Sequence, residues 1–152
     1  MKALLYIAAI STTIFSTGQA LAESTSIDID KLQFETVYET AERGILVRDG
    51  ADRPFVMLLK LDDGDFLPPH GAGGGLRLLT VLSGELSWGD GGDVDPDAEK
   101  VFPAGTILVL PAQAGEHWAA ARNGDVLLQV IVLRGGTLAP DVAEQVADSL
   151  PH

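Results

Sequence analysis

The sequence predicts an all-β fold, a sandwich or closed barrel of short antiparallel strands, with one short helix near its C-terminal end. Three observations predict it. From Phe34 onward, short apolar stretches alternate with turn formers: Asp49-Gly50, Asp63-Gly64, Ser83-Gly84, Asp90-Gly91-Gly92 and Asn123-Gly124. Two of the stretches, Thr106–Leu110 and Val126–Leu133, are apolar at nearly every position, as strands covered on both faces are. Only after Gly135-Gly136 does the period change, with Val142, Val146 and Leu150 recurring every fourth residue behind Pro140 and Asp141.

In chain order, the first element is an export signal. Lys2 supplies a positive start, Ala3–Phe15 is apolar, and Ala20-Leu21-Ala22 is a small-x-small cleavage site. The apolar run falls short of the roughly 20 residues that span a bilayer. Cleavage is therefore expected before Glu23, placing the protein in the periplasm or outside the cell, with no membrane attachment afterwards. Removing residues 1–22 of the 152 leaves 130, a size that suits a single domain. It also takes away one charge, Lys2, and moves the net charge from −12 to −13. Such an acidic chain lacks the clustered Lys and Arg that nucleic acid requires; the acidity serves solubility. Cysteine is absent, which removes disulfides, thiol nucleophiles, Cys-based zinc sites and lipidation of an N-terminal Cys.

Residues 23–33 are polar and patternless, and form a loose arm. Residues 34–152 form the domain, with strands expected at Phe34–Tyr38, Ile45–Val47, Phe55–Leu61, Leu76–Ser83, Glu85–Trp88, Lys100–Phe102, Thr106–Leu110, His117–Ala121 and Val126–Leu133. Something must cover the outer side of Thr106–Leu110 and Val126–Leu133, either a second sheet or another subunit. The helix is expected over residues 140–150.

Two stretches carry the candidate chemistry. Gly64-Asp65-Phe66-Leu67-Pro68-Pro69-His70 leads through Gly71-Ala72-Gly73-Gly74-Gly75 to Arg77 and closes at Gly84. The second runs from Gly105 through Pro111 and Gln113 to His117 and Trp118. Together they resemble the two motifs of the cupins, small β-barrels with the spacing Gly-x5-His-x-His, Glu, Gly and then Gly-x5-Pro-x-Gly-x2-His. The resemblance covers roughly Gly64–Leu133, including Thr80–Gly91 and Asp125–Val130, which look like small exported bacterial cupins. It implies a double-stranded β-helix, or jelly-roll, barrel that forms a homodimer.

In that family, imidazoles and a carboxylate point into the barrel and share a divalent metal. Here His70 matches the first ligand, but Ala72 stands at the second His and Arg77 at the Glu. His117 arrives one residue late, as though one residue were inserted in its loop. Replacing a carboxylate with a permanent cation opposes a metal rather than merely weakening its site.

The alternation of Leu76–Leu82 leaves the direction of Arg77 open, because that strand is apolar on both faces; the family register turns it inward. There, with His70 and His117, it would make a cationic pocket for a carboxylate or phosphate. Glu116 or Glu85 could instead neutralise it. Trp88 and Trp118 are core or pocket-wall aromatics, and the resemblance adds Trp118 and Gln129 to the pocket.

The expectation is an exported barrel that binds a small molecule, an anion if Arg77 faces the pocket, without a cofactor. The alternative is a metal-dependent enzyme, an oxygenase or isomerase, that holds Fe, Mn, Ni or Zn through His70 and His117 with a further carboxylate such as Glu116. A structural dimerisation module is a third possibility. Gly71–Gly75 precedes a strand and lacks Gly-Lys-Ser/Thr, which excludes a nucleotide loop. Asp93–Asp97 lacks the glycine and closing Glu of a calcium loop, and no Gly-x-Ser-x-Gly elbow exists for a serine hydrolase.

Overall fold

The computed structural model describes residues 24–113 and 115–149. The export-signal reading falls on residues 1–22, outside the described residues. Ten strands follow in order: β1 (Phe34–Val37), β2 (Ala41–Arg48), β3 (Pro54–Leu61), β4 (Phe66–Gly71), β5 (Leu76–Ser83), β6 (Glu85–Asp90), β7 (Lys100–Pro103), β8 (Ile107–Leu110), β9 (Glu116–Ala120) and β10 (Val126–Leu133), then helix α1 (Pro140–Asp148). They form a six-stranded sheet, β1-β2-β3-β10-β5-β8, and a four-stranded sheet, β4-β9-β6-β7. Every pairing is antiparallel.

The two sheets enclose one core, built by period-two alternation. In β10, Val126, Leu128, Val130 and Val132 are buried, while Leu127, Gln129, Ile131 and Leu133 face outward and are only half covered. The register carries the inward face across the sheet, from Val130 to Met57 on one side and to Leu79 on the other. Leu67, Leu86, Trp88 and Ala119 answer from the four-stranded sheet. The bends are tight. Gly84 joins β5 to β6 at φ +80°, where a Cβ would run into the carbonyl of Asp125. Only glycine takes that conformation without strain.

One strand lies outside the sequence expectation. β4 contains Pro68-Pro69, which cannot donate to a ladder, and it is an edge strand, where prolines are tolerated. Residues 24–33 are not wholly without structure: Ile29–Lys31 makes a single 3-10 turn, capped by Asp28. The helix begins with Pro140 at its first turn, and Val142 and Val146 are half-buried; Leu150 falls outside the described residues. Among the described residues no helix is long and apolar enough to cross a membrane.

Candidate functional site

The edge strand β4 and its neighbour β9 bring His70 and His117 together. Their register opposes Leu67 to Ala119, then His70 to His117, so three steps along β4 match two along β9. This is a one-residue bulge at the two prolines. It reverses the facing of everything beyond it, because successive residues of a strand point to opposite sides. Leu67 faces the core; without the bulge, His70 would face solvent. With it, the imidazole centroids of His70 and His117 are 4.3 Å apart. In β9, His117 shares the inward face with Ala119 and is 5% exposed.

Rings extend the pair on both sides. Trp88 of β6 stacks on His117 at 4.4 Å with planes 12° apart, and Tyr38 from the β1–β2 turn lies on His70 at 4.5 Å. His70 Nδ1 is 2.8 Å from the Pro68 carbonyl. A carbonyl only accepts, so Nδ1 is the donor in this bond and Nε2 is the nitrogen left to face the site.

Arg77 faces the same interior. It pairs with Val132 and Leu110 and alternates with Leu79 and Val81, both core residues. Its Nη2 donates to the Gly73 carbonyl at 2.9 Å, which ties down the glycine loop. Its Nε is buried and has no hydrogen-bond partner. Neither carboxylate proposed to neutralise it does so. Glu116 lies over Gly92, on the side of β9 opposite His117, and Glu85 receives Asn123 Nδ2 at 3.4 Å on the strand that starts beyond Gly84.

The cluster is therefore cationic inside an acidic protein. Burial holds the Arg77 guanidinium below its ordinary pKa, and the Arg134 charge adds to this, against the opposing influence of Tyr38. Burial also pushes His117 down, helped by His70 and Arg77 and opposed by Asp90 and a backbone hydrogen bond at Gly115, to about 4. His117 is thus a neutral imidazole at pH 7. One acid, Asp90, stands opposite His117 in the register. Burial pushes its carboxyl up, but hydrogen bonds from Trp88 Nε1 at 2.9 Å and Lys100 Nζ at 3.1 Å outweigh that and hold it down.

A catalytic metal of the cupin kind does not fit this donor set. Two imidazoles face each other, Ala72 has no donor atom, Arg77 puts a cation beside them, and both Asp90 oxygens are engaged. Among the described residues no group of three or more His, Cys, Asp or Glu could hold an ion. Catalytic sites usually keep three protein ligands.

Of the residues expected in the pocket, His70, Arg77 and His117 come together; Trp118 and Gln129 do not. Trp118 lies on the outer face of the four-stranded sheet, 5.9 Å from Phe66 and flat against Gly89, where a Cβ would collide with its ring. Gln129 pairs with Leu58 and Thr80 on the outer side of β10. Tyr38 and Asp90 take their places, and of the two tryptophans it is Trp88 that lines the site. A cleft of about 710 Å³ opens elsewhere, at the opposite end of the barrel, lined by Asp28, Asp30, Glu42, Asp62, Asp125 and Lys60 among others. It brings acids to one place but no imidazole.

No protein-family profile matches the chain, and no curated protein does. Solved structures do. A predicted oxalate decarboxylase from Thermotoga maritima is 19% identical and aligns over 72% of this chain and 100% of its own, with a TM-score of 0.54. KdgF from a Halomonas species is 18% identical over 79% of this chain and 99% of its own, at 0.53. An RmlC-like cupin from Shewanella frigidimarina is 21% identical over 73% and 91%, at 0.51. With both sheets, the register and these alignments in agreement, the chain has the double-stranded β-helix fold of the cupins.

Proposed function

We propose that this chain is an exported binding protein whose barrel mouth takes a small anion, a carboxylate or phosphate, at Arg77 with His70 and His117 beside it. The observation that carries the proposal is the buried Arg77 Nε without a partner. An unsatisfied buried donor costs on the order of 1–3 kcal/mol, and a carboxylate or phosphate would satisfy it with the opposite charge in bidentate geometry. The two copies of a homodimer would meet through the outer side of β5, β8 and β10, where Leu82 and Ile107 are exposed. Cleavage of the leader would give a mature chain starting at Glu23, which intact mass of the secreted protein checks.

One observation favours a second reading, a metal-dependent enzyme. The His70 Nδ1–H bond to a backbone carbonyl is the kind that orients metal-ligating imidazoles. The experiment separates the two. Acetate and phosphate are titrated into wild type, His70→Ala and Arg77→Ala, and Fe, Mn, Ni and Zn are measured after dialysis of untagged protein. Anion binding lost in Arg77→Ala supports the anion site. Stoichiometric metal that survives dialysis, is lost in His70→Ala and is untouched by Arg77→Ala sinks it in favour of the enzyme.

A further inference from the structure

We propose that the strained turn between β1 and β2 makes Tyr38 the rim contact of the Arg77 site, selecting carboxylates with a flat apolar body over small bare ones. The inference rests on the anion-binding reading and adds the chemical class of the ligand. Thr40 N–H closes the turn on the Val37 carbonyl at 3.4 Å, and the two residues between them, Tyr38 and Glu39, have φ of +53° and +67°. Positive φ at both central positions is the type I′ pattern, which Asn-Gly fits and a bulky residue does not.

The flanks hold the turn in place. Ala41 is fully buried, Val37 packs on the core, and Thr40 Oγ1 donates to the Phe66 carbonyl at 3.3 Å. What the strain positions is not core packing, since Tyr38 is 49% exposed. Its ring instead covers His70 at 4.5 Å, the outer end of the row Tyr38, His70, His117, Trp88. Strain of this kind persists only where the surroundings impose it, and it gathers at ligand sites.

The geometry then orders a bound acid. Its carboxylate satisfies Arg77 Nε inside, and its body leaves by the rim, where the exposed face of Tyr38 stands. Ring faces favour flat apolar partners over water. Tyr38 and Arg77 both border the His70–His117 pair, one at its exposed end and one on the inward face of β5, so one ligand can meet both.

The test titrates benzoate and acetate against the imidazole proton signals of wild type, Tyr38→Asn, Tyr38→Asn with Glu39→Gly, and Arg77→Met. In wild type, benzoate is expected to bind about fivefold tighter than acetate, the worth of one ring contact. The double variant supplies the favoured turn residues and removes the ring. It should unfold at a higher temperature, bind acetate within about twofold of wild type, and lose the benzoate preference; Tyr38→Asn alone should lose it too. A preference that persists in both Tyr38 variants while Arg77→Met abolishes all binding overturns the role of Tyr38 and leaves the anion site standing. Binding that is absent from wild type, or unchanged in Arg77→Met, removes both.

Discussion

Replacing Arg77 with Met should make the ligand-free protein more stable. Met keeps much of the apolar stem of Arg and removes the charge. The change deletes a buried donor that has no partner, which costs the folded state roughly 1–3 kcal/mol. It gives up the bond from Nη2 to the Gly73 carbonyl, but Gly73 is exposed and water can take over that acceptor, so the loss is about 0.5 kcal/mol or less. It also lifts a cation away from His117, whose pKa should rise. The net expectation is a gain of about 1 kcal/mol, or an unfolding midpoint higher by roughly 3–5 °C for a domain of this size. The assay is urea and thermal unfolding at pH 7 with and without acetate. At a hundred times its Kd, acetate should stabilise wild type by about 2.7 kcal/mol and the variant by almost nothing. A variant less stable than wild type by 1 kcal/mol or more, or one still stabilised by acetate, would refute the reasoning, because Arg77 would then be a structural residue.

Other outcomes follow from particular contacts. Because the folded-state pKa of His117 is about 4, below its ordinary 6.5, the unfolded chain binds the extra proton; stability is fully present above about 6.5 and falls as pH drops toward 4. That gap amounts to about 3 kcal/mol, read from urea midpoints across the range, and His117→Asn should flatten the dependence. Gly89→Ala should destabilise by about 2 kcal/mol or more, since its Cβ would meet the Trp118 ring; an unchanged urea midpoint would contradict this packing. For assembly, light scattering should give twice the chain mass for the mature protein, and Leu82→Lys with Ile107→Lys should halve it; a monomeric wild type would remove the proposed interface.

Much of the architecture could be read directly. β5 and β10 span the residues expected, 76–83 and 126–133, because each is a long β-branched or Leu-rich run stopped by glycines or turn residues. The strand carrying His70 escaped, since Pro68-Pro69 reads as a break in any chain whose place in a sheet is unknown. Only its edge position makes the prolines admissible. The ends of β2 and β6 reached beyond their apolar residues for a related reason: backbone pairing with a neighbour extends a strand past what its own side chains favour.

The candidate site divides along the same line. Residue types at fixed spacing placed His70, His117 and Arg77 as candidates, and alternation with turn chemistry set the barrel, because both are local properties of a chain. Direction was not local. His70 points inward because a bulge shifts its register against β9, and Arg77 because β5 lies between β10 and β8 with Leu79 and Val81 on the core side. Trp88 and Trp118 look alike as aromatics in short strands buried on both faces, and only the stacking of the sheets sends one to His117 and the other to Gly89. Tyr38 had no signal at all, since no propensity favours a tyrosine at positive φ; the packing of Val37 and Ala41 imposes it. The sequence by itself determined the charges and every strand but β4, whose prolines only an edge position admits. The tertiary structure alone decided which side chains face one another, because facing is fixed by pairing register between strands distant along the chain.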